Sequence, residues 1–295
     1  MAKRRFGDRK DARWVREAPP LQTIMAHLFP NRCDNEAYLQ DELDITELVP
    51  YLEKKNDTHP DYKTTAFHAI IFSVAKMIYE RPKMNYFVQG RRMYERNEIS
   101  AGFVARRRFV DHSEEALMYF VPKDEDTLDS LSYRIAGEVH EIRQSESATG
   151  GVDKIIEVLS HLPRILLMLI FRIARIMDFW GILPQALMDG DPNFSSVFLT
   201  NLGSVGCPSV YHHLNNYGSN SFMLAVGVIR DEIRCMPDGS EQIRKVVDIG
   251  CTVDERIADG FYFARSLKLV KYMMLHPEML DAFMCTPSGF NYEGK

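Results

Sequence analysis

Seven consecutive residues, Asp254-Glu255-Arg256-Ile257-Ala258-Asp259-Gly260, put three carboxylates and a guanidinium where a strand pattern ends and a helix pattern begins. Asp259 stands at the helix N-cap position. Its carboxylate can accept a backbone N–H there and also hold a nearby arginine. Glu255 precedes it by four residues, on the loop leaving the strand. A side chain so placed is anchored by rigid elements and faces open space, which suits a functional group. A second group that can exchange protons is His212-His213, within Val210-Tyr211-His212-His213-Leu214. Imidazoles titrate near neutrality; the pair reads either as catalytic or as ordinary surface and packing groups. His68, on an apolar helix face, reads as a hydrogen-bonded core residue.

Composition narrows the class of protein that holds these groups. The chain has 295 residues, 45% hydrophobic and 26% charged, which excludes a wholly disordered chain and a collagen-like fibre. Thirty-six basic against 41 acidic residues give a net charge of −5, so a nucleic-acid partner is not expected. The five cysteines, Cys33, Cys207, Cys235, Cys251 and Cys285, are odd in number and lack any C-x-x-C spacing. That argues against a disulfide framework and a zinc site, and with no secretory signal it points to the cytoplasm. The most apolar stretch, 165–183, is interrupted by Arg172, Arg175 and Asp178, so no transmembrane segment is expected.

The elements that must position the site follow from periodicity. Strands are expected over 36–40, 98–110, 116–121, 197–200, 221–229 and 242–253, with a tight turn at Pro237-Asp238-Gly239. Helices are expected over 44–54, 65–81, from Asp126-Thr127 onward, over 152–188 with breaks at Pro163 and at 181–184, and over 261–275. The run at 221–229 is apolar enough to be buried on both faces. Residues 145–151 read as a linker. This order predicts an α/β two-layer sandwich, with a mixed sheet and helices on one face. No Gly-rich phosphate fingerprint is present.

The 254–260 stretch resembles the D-H-R-x-x-D-G signature of the CoA-dependent acyltransferases with the chloramphenicol acetyltransferase fold. The resemblance is greatest to the catalytic domains of dihydrolipoamide acyltransferases from 2-oxo acid dehydrogenase complexes. Val197-Phe198-Leu199-Thr200-Asn201-Leu202-Gly203 is similar to that family's strand ending T/S-N-L-G, and Phe222-Met223-Leu224-Ala225-Val226-Gly227 to its A-I-L-G-V-G strand. Pro82-Lys83-Met84-Asn85 and Phe120-Val121-Pro122-Lys123-Asp124 resemble its F-P-x-L-N and V-V-P-V-I-K-D segments in matching order. The resemblance covers about 36–145 and 194–280. It implies a homotrimer, possibly built into a higher assembly, with the active site between subunits and acyl-CoA as substrate. No covalently bound cofactor is implied. Thr200 matches the hydroxyl that donates to the tetrahedral oxyanion, Asp259 the bracing aspartate, and Glu255 the position of the base, with Asn201, Arg256 and Gly260 beside them. The family base is His. A Glu, at about 4.3, is a weak base for a thiol near 8.5 unless burial raises it. Three readings of Glu255 stay open: a changed base, an ion pair with Arg256 or another arginine, or the remnant of a dead site in a non-catalytic scaffold or acyl-binding protein.

Three regions lie outside the pattern. Residues 1–35 read as a basic N-terminal arm, with seven basic and two acidic side chains in the first 16, mobile or draped on the surface. The 35 residues before Glu36 are too few for a lipoyl or subunit-binding domain, so a separate acceptor is expected. Residues 152–190 read as an apolar helical insertion within the 36–295 domain. It packs on its own or a neighbouring subunit, lines a tunnel for an apolar acyl chain, or lies on a membrane or other lipid surface, with Arg164, Arg172 and Arg175 toward phosphates. Arg106-Arg107-Arg108 reads as a solvated face or as a contact for CoA phosphates.

Overall fold

The computed structural model describes residues 5–58, 62–106, 115–144 and 158–292. In chain order the elements are β1 (Ala12–Trp14), α1 (Pro20–Leu28), β2 (Glu36–Asp44), α2 (Leu48–Thr58), α3 (Ala66–Glu80), β3 (Tyr86–Gln89), β4 (Arg92–Arg96), β5 (Ala101–Arg106) and β6 (Glu115–Phe120). They continue with α4 (Leu128–Gln144), α5 (Arg164–Phe179), β7 (Val197–Asn201), β8 (Phe222–Cys235), β9 (Glu241–Asp254) and α6 (Gly260–Leu275).

Six strands form the main sheet, in the order β2-β9-β8-β7-β5-β6. β7 runs parallel to both β5 and β8, and the remaining pairs are antiparallel. Side chains alternate across the sheet. Leu199, Leu224, Ile249, Cys251 and Val253 turn to one face and join one apolar core with α3, α4 and α6. This is the expected two-layer arrangement with a mixed sheet. α3 supplies the most buried helix. Its apolar residues repeat at helical spacing, and Thr65 opens it with a capping box completed by His68. The Nδ1 of His68 accepts the Thr65 amide, and burial holds the imidazole down at about 4. His68 is thus a half-buried cap residue at the rim of the core.

Several expectations change. The strand read at 221–229 extends to Cys235, and only its first half is buried; Val228 and Ile229 are exposed beyond a bulge. A helix expected from 44 starts at Leu48, because Asp44–Thr46 closes a turn through Asp44 Oδ1. The hairpin β3–β4 was not anticipated. Its turn is Gly90-Arg91, both with positive φ, and a Cβ at Gly90 would lie 2.1 Å from the Phe179 carbonyl oxygen.

The largest correction concerns the N-terminal arm. From residue 5 onward it is built into the protein. β1 pairs with β4 in a three-stranded sheet, β1-β4-β3. Arg9 is 3% exposed, with Asp11 at 2.9 Å and Asp178 of α5 at 2.8 Å. A basic terminal run looks solvated because its acidic partner lies 169 residues away. Residues 107–110 of the expected strand, with Arg107 and Arg108, the 145–151 linker and 152–157 of the insertion lie outside the described residues.

Candidate active site

The loop after β9 is held by a buried ion pair. Arg256, 1% exposed, meets Asp254 through Nε–Oδ1 at 2.8 Å and Nη2–Oδ2 at 2.6 Å. Its Nη1 donates to the carbonyls of Phe29 and Pro30 at 3.0 and 3.2 Å. Arg32, also buried, approaches Asp254 at 3.8 Å; burial pulls its guanidinium down to about 10 against the pull of Asp254. The sequence had left open a pair between Glu255 and Arg256. The structure gives Arg256 to Asp254 instead, because residues 254 and 256 turn inward together and 255 turns out. Asp254, Arg256, Ile257 and Ala258 are all buried, and Glu255 alone is exposed. Its amide donates to the Asn35 carbonyl at 3.0 Å. Its carboxylate has no partner among the described residues.

Asp259 caps α6, accepting the Tyr262 amide at 2.8 Å. No arginine bonds to it among the described residues, and the contact its carboxylate makes is this helix cap. Gly260, the first residue of α6, is exposed and has open space around it.

Thr200 sits on the opposite sheet face from Val197 and Leu199. Its row continues through Ala225 and Gly250 to Gln40, giving it small neighbours. The hydroxyl is half-buried and has no hydrogen-bond partner among the described residues. Asn201 shapes the turn beyond: its Oδ1 accepts the Ser204 amide at 3.2 Å, and the Ser204 hydroxyl donates to its carbonyl at 2.8 Å. Gly203 is required for packing. A Cβ there would lie 2.5 Å from the Gly227 carbonyl oxygen.

The segment from Cys207 to Leu214 then crosses this outer face. It can lie flat because β8 and β9 present Gly227 and Gly250; a Cβ on either would strike backbone of Ser209 or Val210 at 2.5 or 2.3 Å. The segment ends over β2, an edge strand. The Leu214 amide donates to Glu36, the Cys33 thiol to the Leu214 carbonyl at 3.1 Å, and the Tyr38 hydroxyl to Glu36 at 2.5 Å. His212 and His213 project here, lining a shallow depression with Tyr38 and Tyr211. Partial burial, aided by His213, lowers the His212 imidazole below its usual value. Glu36 pairs with Asp254 across the β2–β9 ladder, so Glu255 and the His212-His213 turn both lie at the start of β2.

Thr200 is elsewhere. It shares its row with Gly250, five residues before Glu255 and two strands away. At about 3.3 Å per residue and 4.8 Å per strand, Thr200 and Glu255 are on the order of 15–20 Å apart. Glu255 and the His212-His213 turn both border the start of β2, and Thr200 lies apart with Asn201. Sequence reasoning missed Cys33, Glu36, Tyr38 and the buried Arg32. The outward alternation Glu36-Tyr38-Gln40 is the only local signal of them. Among the described residues, no cluster of His, Cys, Asp or Glu is arranged to hold a metal ion.

Residues 187–281 match the family model of the 2-oxoacid dehydrogenase acyltransferase catalytic domain. No curated protein matches by sequence. Among solved structures, the dihydrolipoamide acetyltransferase of Azotobacter vinelandii aligns with a TM-score of 0.60 at 14% identity, covering 88% of each chain. The cubic core of a pyruvate dehydrogenase multienzyme complex aligns with a TM-score of 0.59 at 16% identity, over 90% of this chain and 93% of that one. A chloramphenicol acetyltransferase aligns with a TM-score of 0.53 at 12% identity, over 89% and 96%.

Proposed function

We propose that this chain, which has the acyltransferase fold and matches the 2-oxoacid dehydrogenase acyltransferase domain over residues 187–281, transfers an acyl group from an acyl-CoA to a separate acceptor. The site is completed by a second copy. One observation carries the reading. Two groups able to serve acyl transfer, the Thr200 hydroxyl and the Glu255 carboxylate, have no partner among the described residues and are too far apart in one chain to act together. A homotrimer, or a higher assembly of the kind named by the cubic-core neighbour, brings Thr200 of one copy to the β2 edge of the next.

In that site Glu255 accepts the proton of the acceptor thiol or hydroxyl as its sulfur or oxygen bonds to the thioester carbonyl carbon. Thr200 donates to the resulting oxyanion. Collapse breaks the carbon–sulfur bond, and the CoA thiolate takes the proton back from Glu255. The Azotobacter vinelandii relative uses a Ser, a His and an Asn in its mechanism, the last two four residues apart, as Glu255 and Asp259 are. The change from His to Glu supports a second reading, a non-catalytic trimeric scaffold or acyl-binding protein, in which acyl-CoA binds and does not turn over. His212, partly desolvated at the same edge of the sheet, is the other candidate base.

The test is acetyl transfer from acetyl-CoA to dihydrolipoamide. Thr200→Ala is expected to lower kcat about 10²–10³-fold with KM little changed, and Glu255→Gln about 10²-fold or more. Full rate in Glu255→Gln, with loss in His212→Asn, would move the base to His212. Acyl-CoA binding without turnover would establish the scaffold reading.

A further inference from the structure

We infer that α5, together with α1, is a docking surface for an anionic phospholipid bilayer. The inference is independent of the acyl-transfer reading. α5 holds to the protein by one side, through Leu167, Ile170, Ala174, Met177 and Asp178. Its other side is strongly apolar and open: Ile165 is 82% exposed and Trp180, just past its end, 71%, with Leu166, Leu169, Ile173 and Ile176 between them. At 100° per residue these six fall on one flank of the helix, and Arg164, Arg172 and Arg175 on the other. Exposed apolar area of this extent marks an interaction surface.

Charge decides the occupant. The one acidic residue of the helix, Asp178, is buried against Arg9 at 2.8 Å, so no exposed carboxylate remains from Arg164 to Trp180. The neighbouring element continues the pattern. α1 carries no Asp, Glu, Lys or Arg and exposes Leu21, Ile24 and Leu28. The two elements adjoin across a cleft lined by Ala26, His27, Arg91, Phe179 and Trp180. A two-fold contact of this face with the same face of a second copy would bring the arginine flanks near one another. Anionic headgroups neutralise them, while the apolar flank and Trp180 enter the acyl boundary, as amphipathic interfacial helices do. At 16 residues α5 is too short to cross a membrane, and no described helix is long and apolar enough to do so. It lies in the surface.

The experiment is flotation of the full chain with vesicles of phosphatidylcholine alone and of phosphatidylcholine with phosphatidylglycerol. Binding to the anionic vesicles, weakened by high salt and by Arg172→Glu with Arg175→Glu, is expected. Leu169→Asp with Ile173→Asp should lower it at least about tenfold at an unchanged thermal midpoint. Absence of wild-type flotation, or flotation unchanged in the Asp variant, overturns the inference. If the wild type stays off vesicles and the Asp variant changes the solution mass, the face is instead a contact between copies.

Discussion

At the scale of the residue, Glu255 owes its position to its two neighbours. Asp254 and Arg256 turn into the protein and lock together, so the residue between them has no choice but to face out. Removing one partner of a buried pair leaves the other charged and unpaired. Arg256→Met is therefore expected to destabilise the fold by about 3–5 kcal/mol, read from the midpoint of urea unfolding, whereas Glu255→Gln should leave it within about 0.5 kcal/mol. His68 gives a pH dependence of its own. Its imidazole is held near 4, below its unfolded value of 6.5, so the unfolded chain binds the extra proton between these values. Its contribution is complete above about 6.5 and is lost as pH falls toward 4, where protonation also removes the acceptor for the Thr65 amide. Unfolding measured over that window should show stability falling with pH, less steeply in His68→Gln.

At the scale of the element, two glycines decide where the outer-face segment runs. Gly227 and Gly250 let residues 207–214 lie on β8 and β9, and this delivers His212 and His213 to the β2 edge. Gly250→Val would drive a side chain into the Val210 backbone. It should raise exchange of the 207–214 amides and abolish acyl transfer while the α3 amides stay protected. Such a path was not legible in the sequence. The motif Thr200-Asn201-Leu202-Gly203 and the strand read at 242–253 were, because each carries its own periodicity or turn chemistry. β1 and β3–β4 were not: strands of three to five residues have too few alternations, and the strand that pairs with β1, with Arg96 opposite Ala12, is distant in the chain. The same holds within the site. Asp259 as an N-cap follows from local spacing, whereas the choice of Asp254 over Glu255 as the partner of Arg256 depends on which way the loop turns.

At the scale of the molecule, the sheet separates the chemistry into two halves. The β2 edge carries Glu255, His212 and His213, and Thr200 opens onto the outer face three strands in from it. In the proposed mechanism each half needs the other, which makes assembly part of that mechanism and ties the expected activity to protein concentration. The most direct test is complementation. Thr200→Ala and Glu255→Gln chains, each inactive alone in acetyl transfer, are co-expressed so that mixed oligomers form. If each site takes Thr200 from one copy and Glu255 from another, about a quarter of the contacts in a random mixture are intact, and about a quarter of wild-type activity returns. Activity no higher than that of either variant alone would contradict a site shared between copies.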